Sequence, residues 1–282
     1  MKTRFLIFLK HNAFLLCLLA SLINPLFAQL IETEKLDTVN LIITYNLSFR
    51  PDTNDLANVR EEKMSLIVGN QISLFASYNR LINDSLLMGL NERADLNQIT
   101  AAAMAGRAST RFNFYITKNH NKNQMIFDDQ IFNEYYTYLE PLKEIRWELT
   151  DYKDELLGYE VQKAVAYYGG RRWEAWFTHQ IPISDGPYKF NGLPGLILKI
   201  YDSENHYVFL AESLAKKQEE RVFGRKIQNR INLTKKEFFI VQHNAAENLI
   251  LQMREWGNPV EVINRLEENL RRRNNPIELT AD

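Results

Sequence analysis

Two runs of about ten residues with alternating apolar and polar side chains flank a pair of glycines, and this arrangement constrains the fold most. The runs cover Tyr159–Tyr168 and Arg171–Gln180, and Gly169-Gly170 lies between them. A two-residue connection of this kind is typical of a tight β-hairpin, because both turn positions need a positive φ that glycine adopts without strain. The chain therefore contains at least one antiparallel strand pair.

The hairpin also predicts a register, since a two-residue turn fixes which residues face each other. Ala166 is expected opposite Trp173, and Lys163 opposite Trp176. Trp173 then belongs to the apolar face of its strand, and Trp176 belongs to the polar face. A large aromatic side chain on a polar face either packs under a loop or helix or offers a stacking platform to a ligand. Both alternatives stay open at this point.

Further short strands follow one another along the chain with tight turns between them. Consecutive short strands favour an antiparallel meander over βαβ units, which would need long helical crossovers. The other predicted strands cover residues 41–49, 63–68, 71–78, 111–118, 124–127, 133–139, 145–149, 196–201 and 206–214.

Helical patterns occur at two places. Leu, Met and Ala at helical spacing predict one inserted helix over Asp84–Ala105, capped by Asp84 or Ser85 and ended by Gly106. Near the carboxyl terminus, Thr234 and the glutamate three residues later form a capping-box pattern.

That capping box opens a helix expected to end at Gly257. Asn258 is expected to cap a second helix with Pro259 at its first position, ending near Arg273. The predicted class is α+β: a curved, half-barrel-like antiparallel meander with one inserted helix and two C-terminal helices.

The first 28 residues read as a secretory signal. An apolar stretch over 13–23 is shorter than the roughly 20 residues that span a bilayer, and Ala28 ends a plausible cleavage site. We expect export, cleavage after Ala28, a single domain over 29–282, and a location in the periplasm or at the outer-membrane periphery. The basic residues of the signal are Lys2, Arg4 and Lys10.

Composition excludes several kinds of function. The only cysteine, Cys17, lies within the signal, so disulfides, thiolate catalysis and cysteine-ligated metals are not expected in the mature chain. Removing three basic residues leaves 31 basic against 35 acidic residues, a formal charge of −4. Nucleic-acid binding proteins carry an excess of Lys and Arg, so no nucleic-acid partner is expected.

A turn-rich stretch after the hairpin supplies the candidate binding residues. Gly186-Pro187 and Gly192-Leu193-Pro194-Gly195 are turn sequences, with Pro194-Gly195 suited to the centre of a type II turn. Either these turns simply bracket a short loop, or they hold polar side chains in a fixed pose for a partner. Together with the hairpin tryptophan, the candidate binding residues are Trp176, Tyr188, Lys189 and Asn191.

No catalytic or metal site stands out. His179, Ser184 and Asp185 include the residue types of a nucleophilic triad, but they fall on one strand and its turn without a Gly-x-Ser-x-Gly elbow. The histidines lack metal-ligand spacing, and there is no glycine-rich phosphate loop. No catalytic residue, metal or cofactor is therefore predicted.

The turn-rich stretch resembles the GLPGLI proteins, whose name is the hexapeptide found here at residues 192–197. The resemblance implies an envelope protein of Bacteroidetes-type bacteria with no assigned activity. Members commonly carry a cysteine where this chain has Val161, so a family role that depends on a thiol is not carried over. The resemblance also covers residues 158–159, 163–164, 171–176, 181–182, 186–187, 189–191 and 275–279.

These observations predict a non-catalytic binding or accessory protein of the cell envelope, with a possible link to an outer-membrane transporter. Its ligand would be an envelope protein, a peptide or a lipid. Two alternatives remain: a hydrolase or peptide-processing enzyme whose site is assembled only in the fold, and a purely structural envelope protein.

Overall fold

The structure, a computed structural model, describes residues 32–89, 109–132, 134–142, 145–216, 221–226 and 229–281. The predicted signal, residues 1–28, lies outside this range. In the described part, twelve strands form one open sheet and two form a separate ribbon. The strands are β1 (Glu32–Thr38), β2 (Leu41–Phe49), β3 (Arg60–Val68), β4 (Ile72–Ser77), β5 (Tyr115–Asn119), β6 (Gln124–Ile131), β7 (Glu134–Pro141), β8 (Glu148–Leu156), β9 (Tyr159–Tyr168), β10 (Arg171–Thr178), β11 (Leu196–Asp202), β12 (Tyr207–Lys216), β13 (Arg221–Lys226) and β14 (Ile231–Asn232).

Most neighbouring strands of the sheet are also consecutive in sequence, as in a meander. The exceptions are β2, which pairs with β12, and β14, which pairs with β7. The order of the sheet is β14-β7-β6-β5-β4-β3-β2-β12-β11-β10-β9-β8, and β1 pairs with β13 outside it. Every pair is antiparallel except β14 with β7. The predicted antiparallel architecture is confirmed, although the fold is mostly sheet and not clearly α+β.

The glycine hairpin forms as predicted. Gly169 and Gly170 have φ of 57° and 77°, and Ala166 faces Trp173 while Lys163 faces Trp176.

One face of the sheet carries the main hydrophobic core. In β2 every second residue is buried, as expected for a strand with one face against a core. Phe75 in β4 contacts Phe209 in β12, with ring centroids 6.1 Å apart, although β3 and β2 lie between their strands. Strands lie about 4.8 Å apart, so this contact requires the sheet to coil toward its core face.

The inserted helix begins earlier than predicted. Helix α1 covers Tyr78–Gly89, and the Ser77 hydroxyl accepts the Arg80 backbone N–H at 3.4 Å, which places the cap at Ser77. Asp84 is therefore not a cap: it is buried inside the helix and accepts the Tyr115 hydroxyl. The predicted continuation to residue 105 lies outside the described residues.

The two C-terminal helices are confirmed, with one boundary corrected. Helix α2 covers Lys235–Glu255 and begins at the predicted Thr234 capping box. Helix α3 covers Val260–Arg271 with Pro259 at the cap position. Asn258 does not cap α3, because its side-chain amide donates to the Met253 carbonyl at the end of α2.

Three further strands were not predicted, and β8 begins three residues later and ends seven residues later than its predicted strand. β8 is exposed along most of its length, so it lacks the apolar alternation that identifies a strand. None of the described helices is long and apolar enough to cross a membrane.

Candidate functional site

The turn-rich stretch, residues 179–195, connects β10 to β11 and lies on the core face of the sheet. The Phe190 ring lies 4.6 Å from the Trp173 ring, measured between centroids. Asp185 and Asn191 form a β-bridge that closes the loop, and the Ile197 N–H donates to the Asp185 carbonyl at 3.0 Å. We call this stretch the motif loop.

The glycines of the motif loop have different roles from those predicted. Gly192 has a φ of 95°, so it is the position that needs glycine for its backbone conformation. Gly195 does not have a positive φ, and the predicted type II turn at Pro194-Gly195 is therefore wrong. A Cβ at Gly195 would overlap the Thr178 carbonyl oxygen, and one at Gly186 would lie 2.8 Å from Ile197. These two glycines allow close packing.

We expect Gly195→Ala to destabilise the protein by about 2–3 kcal/mol, because backbone atoms of β10 would have to move to admit the methyl group. Gly158→Ala is the matched control for inserting a methyl group, since nothing lies within 4 Å of a Cβ there. The remaining cost there comes from the positive φ of 78°, which alanine adopts at about 1 kcal/mol. Urea unfolding of both variants measures the difference, and equal losses would contradict close packing at Gly195.

Lys189 is fully buried at the centre of an ionic cluster. Its Nζ lies 2.6 Å from Glu140 and 2.7 Å from Glu278, and it donates to the Tyr138 hydroxyl at 2.7 Å. Lys235, from the first turn of α2, lies 2.9 Å from Glu140 and 2.8 Å from Glu278. Two ammonium groups thus share two carboxylates.

The charges in this cluster support one another. Burial alone would raise the pKa of Glu278, but Lys189 and Lys235 outweigh it and hold that pKa below its usual value. Tyr188 donates its hydroxyl to Glu278 at 2.5 Å, and burial, with the Glu278 charge beside it, raises the Tyr188 pKa far above its usual value. The two lysines of the cluster thus pair with its two glutamates, inside the protein.

Asp185 is the centre of a second buried cluster. Its carboxylate accepts from Lys118 Nζ at 2.6 Å, from its neighbour's N–H at 2.7 Å, and from the Ser73 hydroxyl. The His120 Nε2 atom lies 3.3 Å away. Burial opposes ionisation, but Lys118, His120 and Ser73 hold the Asp185 pKa at about 2. This carboxylate anchors the motif loop to β4 and β5.

The structure does not assemble the triad-like set noted in the sequence. The His179 ring nitrogens lie 3.1 Å from the Pro194 carbonyl and 3.1 Å from Gln162, whereas Asp185 contacts Ser73, Lys118 and His120. The Ser73 hydroxyl bonds the aspartate and not a histidine, so this geometry does not activate it as a nucleophile.

A third cluster surrounds Arg171 at the start of β10. Its Nη1 atom lies 3.0 Å from Asp202 Oδ2. Asp202, Glu204 and His206 lie close enough together to hold a cation. However, Asp202 also accepts the Tyr207 N–H through its other oxygen at 2.7 Å. A cation here would have to displace the Arg171 guanidinium, so the arrangement fits an ion pair better than a metal site.

By alternation with the buried Trp173 and Ala175, Trp176 points to the opposite, outer face of the sheet, where it is half-buried and also packs against residues of the main hydrophobic core. Register places it directly between Lys163 on β9 and Lys199 on β11. The same row continues across three more strands, and we call it the outer row. Its members are Lys163, Trp176, Lys199, Leu210, Asn46 and Lys63.

The outer row is polar and partly exposed. The Lys163 Nζ lies 5.9 Å from the Trp176 ring centroid and 2.6 Å from Glu174. Burial opposes ionisation of Glu174, but Lys163, Arg172 and Tyr201 hold its pKa at about 2. Lys199 lies 5.2 Å from the Tyr201 ring centroid, and among the described residues no carboxylate lies within ion-pair distance of it. The row thus presents an aromatic ring between two cations.

The four predicted binding residues are therefore not brought into one groove. Tyr188, Lys189 and Asn191 are buried on the core face, and Trp176 lies on the outer face. Their role in binding stays a prediction.

The motif loop matches an uncharacterised family. Residues 170–199 match the family described as "Protein of unknown function (Porph_ging)". This range begins at the second turn glycine, Gly170, and covers β10, the whole motif loop and the first four residues of β11. No curated protein sequence matches the chain.

Two solved structures of PNGF-II share the fold. The structure in the P21 space group has a TM-score of 0.53 and 17% identity, covering 74% of this chain and 34% of that one. The structure in the C2 space group has a TM-score of 0.50 and 16% identity, covering 74% of this chain and 33% of that one. The chain thus spans about a third of the PNGF-II chain, and the similarity is one of fold.

Sequence reasoning missed the partners of the buried charges. Glu140, Lys118 and Lys235 lie on strands and a helix far from the motif loop in sequence. The available signal was Lys118, which continues the core-facing alternation of Phe112, Phe114 and Ile116, because Lys is almost never fully buried unless paired.

Proposed function

We propose that this chain is a non-catalytic binding or accessory protein of the cell envelope, and that the outer row is its docking surface. The observation that carries the proposal is the placement of Trp176 between Lys163 and Lys199 on three adjacent strands. An aromatic ring with cations on both sides is suited to an acidic partner that also has apolar surface.

The dimensions of the outer row support a macromolecular partner. Six residues on six adjacent strands extend over roughly 24 Å at about 4.8 Å per strand. The two ends are both lysines, Lys163 and Lys63. Each lies near a carboxylate of the same face, Lys163 at 2.6 Å from Glu174 and the largely exposed Lys63 at 3.6 Å from Glu212. The antiparallel pairing of β10 with β11, which the motif loop connects, fixes the spacing of Trp176 and Lys199.

The proposal also covers the family, the export and the partner of the chain. The chain is a GLPGLI-type protein, a single curved, half-barrel-like α+β domain exported through a cleaved signal to the periplasm or the outer-membrane periphery. Its partner is an acidic envelope protein, with a possible link to an outer-membrane transporter. The match of residues 170–199 to an uncharacterised family supports the first of these statements.

We expect Trp176→Ala and Lys199→Gln each to weaken partner capture at least tenfold, because each removes one element of the outer row. The tagged full chain would be expressed in its own envelope, and quantitative mass spectrometry would measure the proteins captured at low and high salt. A partner that binds through the lysines should be lost at high salt.

Tyr167→Ala and Lys153→Gln provide matched controls, because both side chains are exposed and lie outside the outer row. These controls should capture the same partners as the unmodified chain. If all four folded variants captured identical partners in equal amounts, the outer row would not be the docking surface.

A further inference from the structure

The C-terminal segment, residues 274–279, lies in a groove formed by distant parts of the chain. The hydrogen bonds of residues 275–279 run to strands and loops far away in sequence. The Arg171 guanidinium donates to the Ile277 carbonyl at 3.0 Å, the Pro276 carbonyl at 2.7 Å and the Asn275 side chain at 2.6 Å. A segment held in this way resembles a bound peptide.

Both ends of the segment are also fixed. The Asn275 side chain donates to the Arg50 backbone carbonyl at 2.7 Å, and the Asn275 backbone carbonyl accepts the Tyr207 hydroxyl at 2.5 Å. At the other end, the Leu279 N–H donates to the Gly169 carbonyl at 2.7 Å. The groove therefore forms hydrogen bonds with backbone groups of the segment as well as with its side chains.

Only some side chains of the segment are recognised. Asn275, Ile277 and Glu278 are 4%, 8% and 4% exposed, whereas Leu279 is 51% exposed. Glu278 enters the cationic end of the groove, between Lys189 and Lys235. The recognised pattern is Asn-x-apolar-Glu, with proline at the second position limiting the flexibility of the free segment.

The groove would be costly to leave empty. Without Glu278, Lys189 and Lys235 would share one carboxylate, that of Glu140, and without residues 275–277 the buried Arg171 guanidinium would lose three acceptors. Buried cations need such partners. Arg272 and Arg273 join the segment to α3 and are exposed, whereas the Asn274 side chain accepts the Thr53 N–H at 2.8 Å and donates to Asp52 at 2.8 Å. For the segment to leave the groove while α3 stays in place, these two hydrogen bonds must also break.

We propose that this groove is a peptide-recognition site for an Asn-x-apolar-Glu segment, and that it also accepts the C-terminal segment of a second copy of this chain. In the structure the groove is occupied by its own segment. A second copy carries the same segment on the same exposed tether, so its chemistry fits without any change. This inference does not depend on the outer row.

The test uses the full chain with a protease site inserted between Arg273 and Asn274, cut after folding. A fluorescent synthetic peptide of residues 274–282 should replace the cut segment saturably, as measured by anisotropy. We expect Glu278→Gln and Asn275→Ala peptides to bind at least tenfold more weakly, and the Leu279→Ala peptide to bind within about twofold of the original. No exchange in a cut chain with native circular dichroism would overturn the proposal.

If the cut chain unfolds, the acceptor is the uncut chain carrying Asn275→Ala and Glu278→Gln, whose own segment is weakened. Failure of the labelled peptide to bind this folded acceptor would also overturn the proposal. The second-copy part has its own readout: immobilised cut chain should capture uncut chain in solution, and uncut Glu278→Gln chain should not be captured. Equal capture of both, or of neither, would refute exchange between copies.

Discussion

Lys189→Met is expected to lower the free energy of unfolding by about 3–5 kcal/mol, because it removes one partner of a buried ion cluster and leaves carboxylates without full compensation. Lys189 is completely buried and contacts both Glu140 and Glu278. After the substitution only Lys235 would remain to neutralise the two carboxylates. Chemical denaturation followed by fluorescence and circular dichroism would measure the loss.

Lys153→Met is the matched control for Lys189→Met. Lys153 also forms a close ion pair, 2.9 Å from Glu160, but both side chains are more than half exposed. Exposed pairs contribute about 0–1 kcal/mol, so this substitution should have little effect. If Lys189→Met cost no more than Lys153→Met, the buried cluster would not stabilise the fold.

The hairpin was predictable to the residue because its information is local. Gly169-Gly170 fixes the turn, the turn fixes the register, and the register places Trp176 beside Lys163. The Thr234 capping box was predictable for the same reason, since the cap and its partner lie three residues apart. In both cases the residues that determine the structure are neighbours in sequence.

The placement of the motif loop was not predictable, because its partners are set by the sheet. Polar residues in a turn-rich stretch usually face solvent, so the sequence offers Lys189 as a candidate for binding a partner and does not indicate its burial. In the fold, Glu140 of β7 and Glu278 of the C-terminal segment converge on Lys189, and long-range pairing of this kind leaves no local pattern. The requirement for glycine at position 195 was unpredictable for the same reason, because it comes from close contact with Thr178 of β10 and not from the local turn conformation.

A similar argument applies to β8, whose predicted bounds were wrong. β8 is exposed on both faces, so its sequence shows no period-two alternation even though β9 pairs with it. Backbone hydrogen bonds to β9 hold β8 in the sheet on one side, and its other side is an unpaired edge. Sequence patterns therefore identified the buried centre of the sheet and failed at its edge.

Asp185→Asn is expected to lower the free energy of unfolding by about 3–5 kcal/mol at neutral pH, because it leaves the buried Lys118 ammonium without a carboxylate. Burial lowers the Lys118 pKa more strongly than Asp185 raises it. Lys118→Gln together with Asp185→Asn removes both charges, so the double variant should lose less stability than the sum of the two single losses. Strict additivity would mean that the pair does not interact.

The same substitution should also change the response to acid. A carboxyl group with a depressed folded-state pKa contributes stability above its unfolded pKa, and that contribution is lost as the pH falls through the folded pKa. For Asp185 these values are 3.8 and about 2, and the difference corresponds to about 2 kcal/mol. Between pH 4 and 2, unfolding free energies measured in urea should therefore fall by about 2 kcal/mol less in Asp185→Asn than in the unmodified chain. Asp154→Asn, at an exposed position in β8, should keep the original acid dependence, and the same slope in all three proteins would show that Asp185 does not carry it.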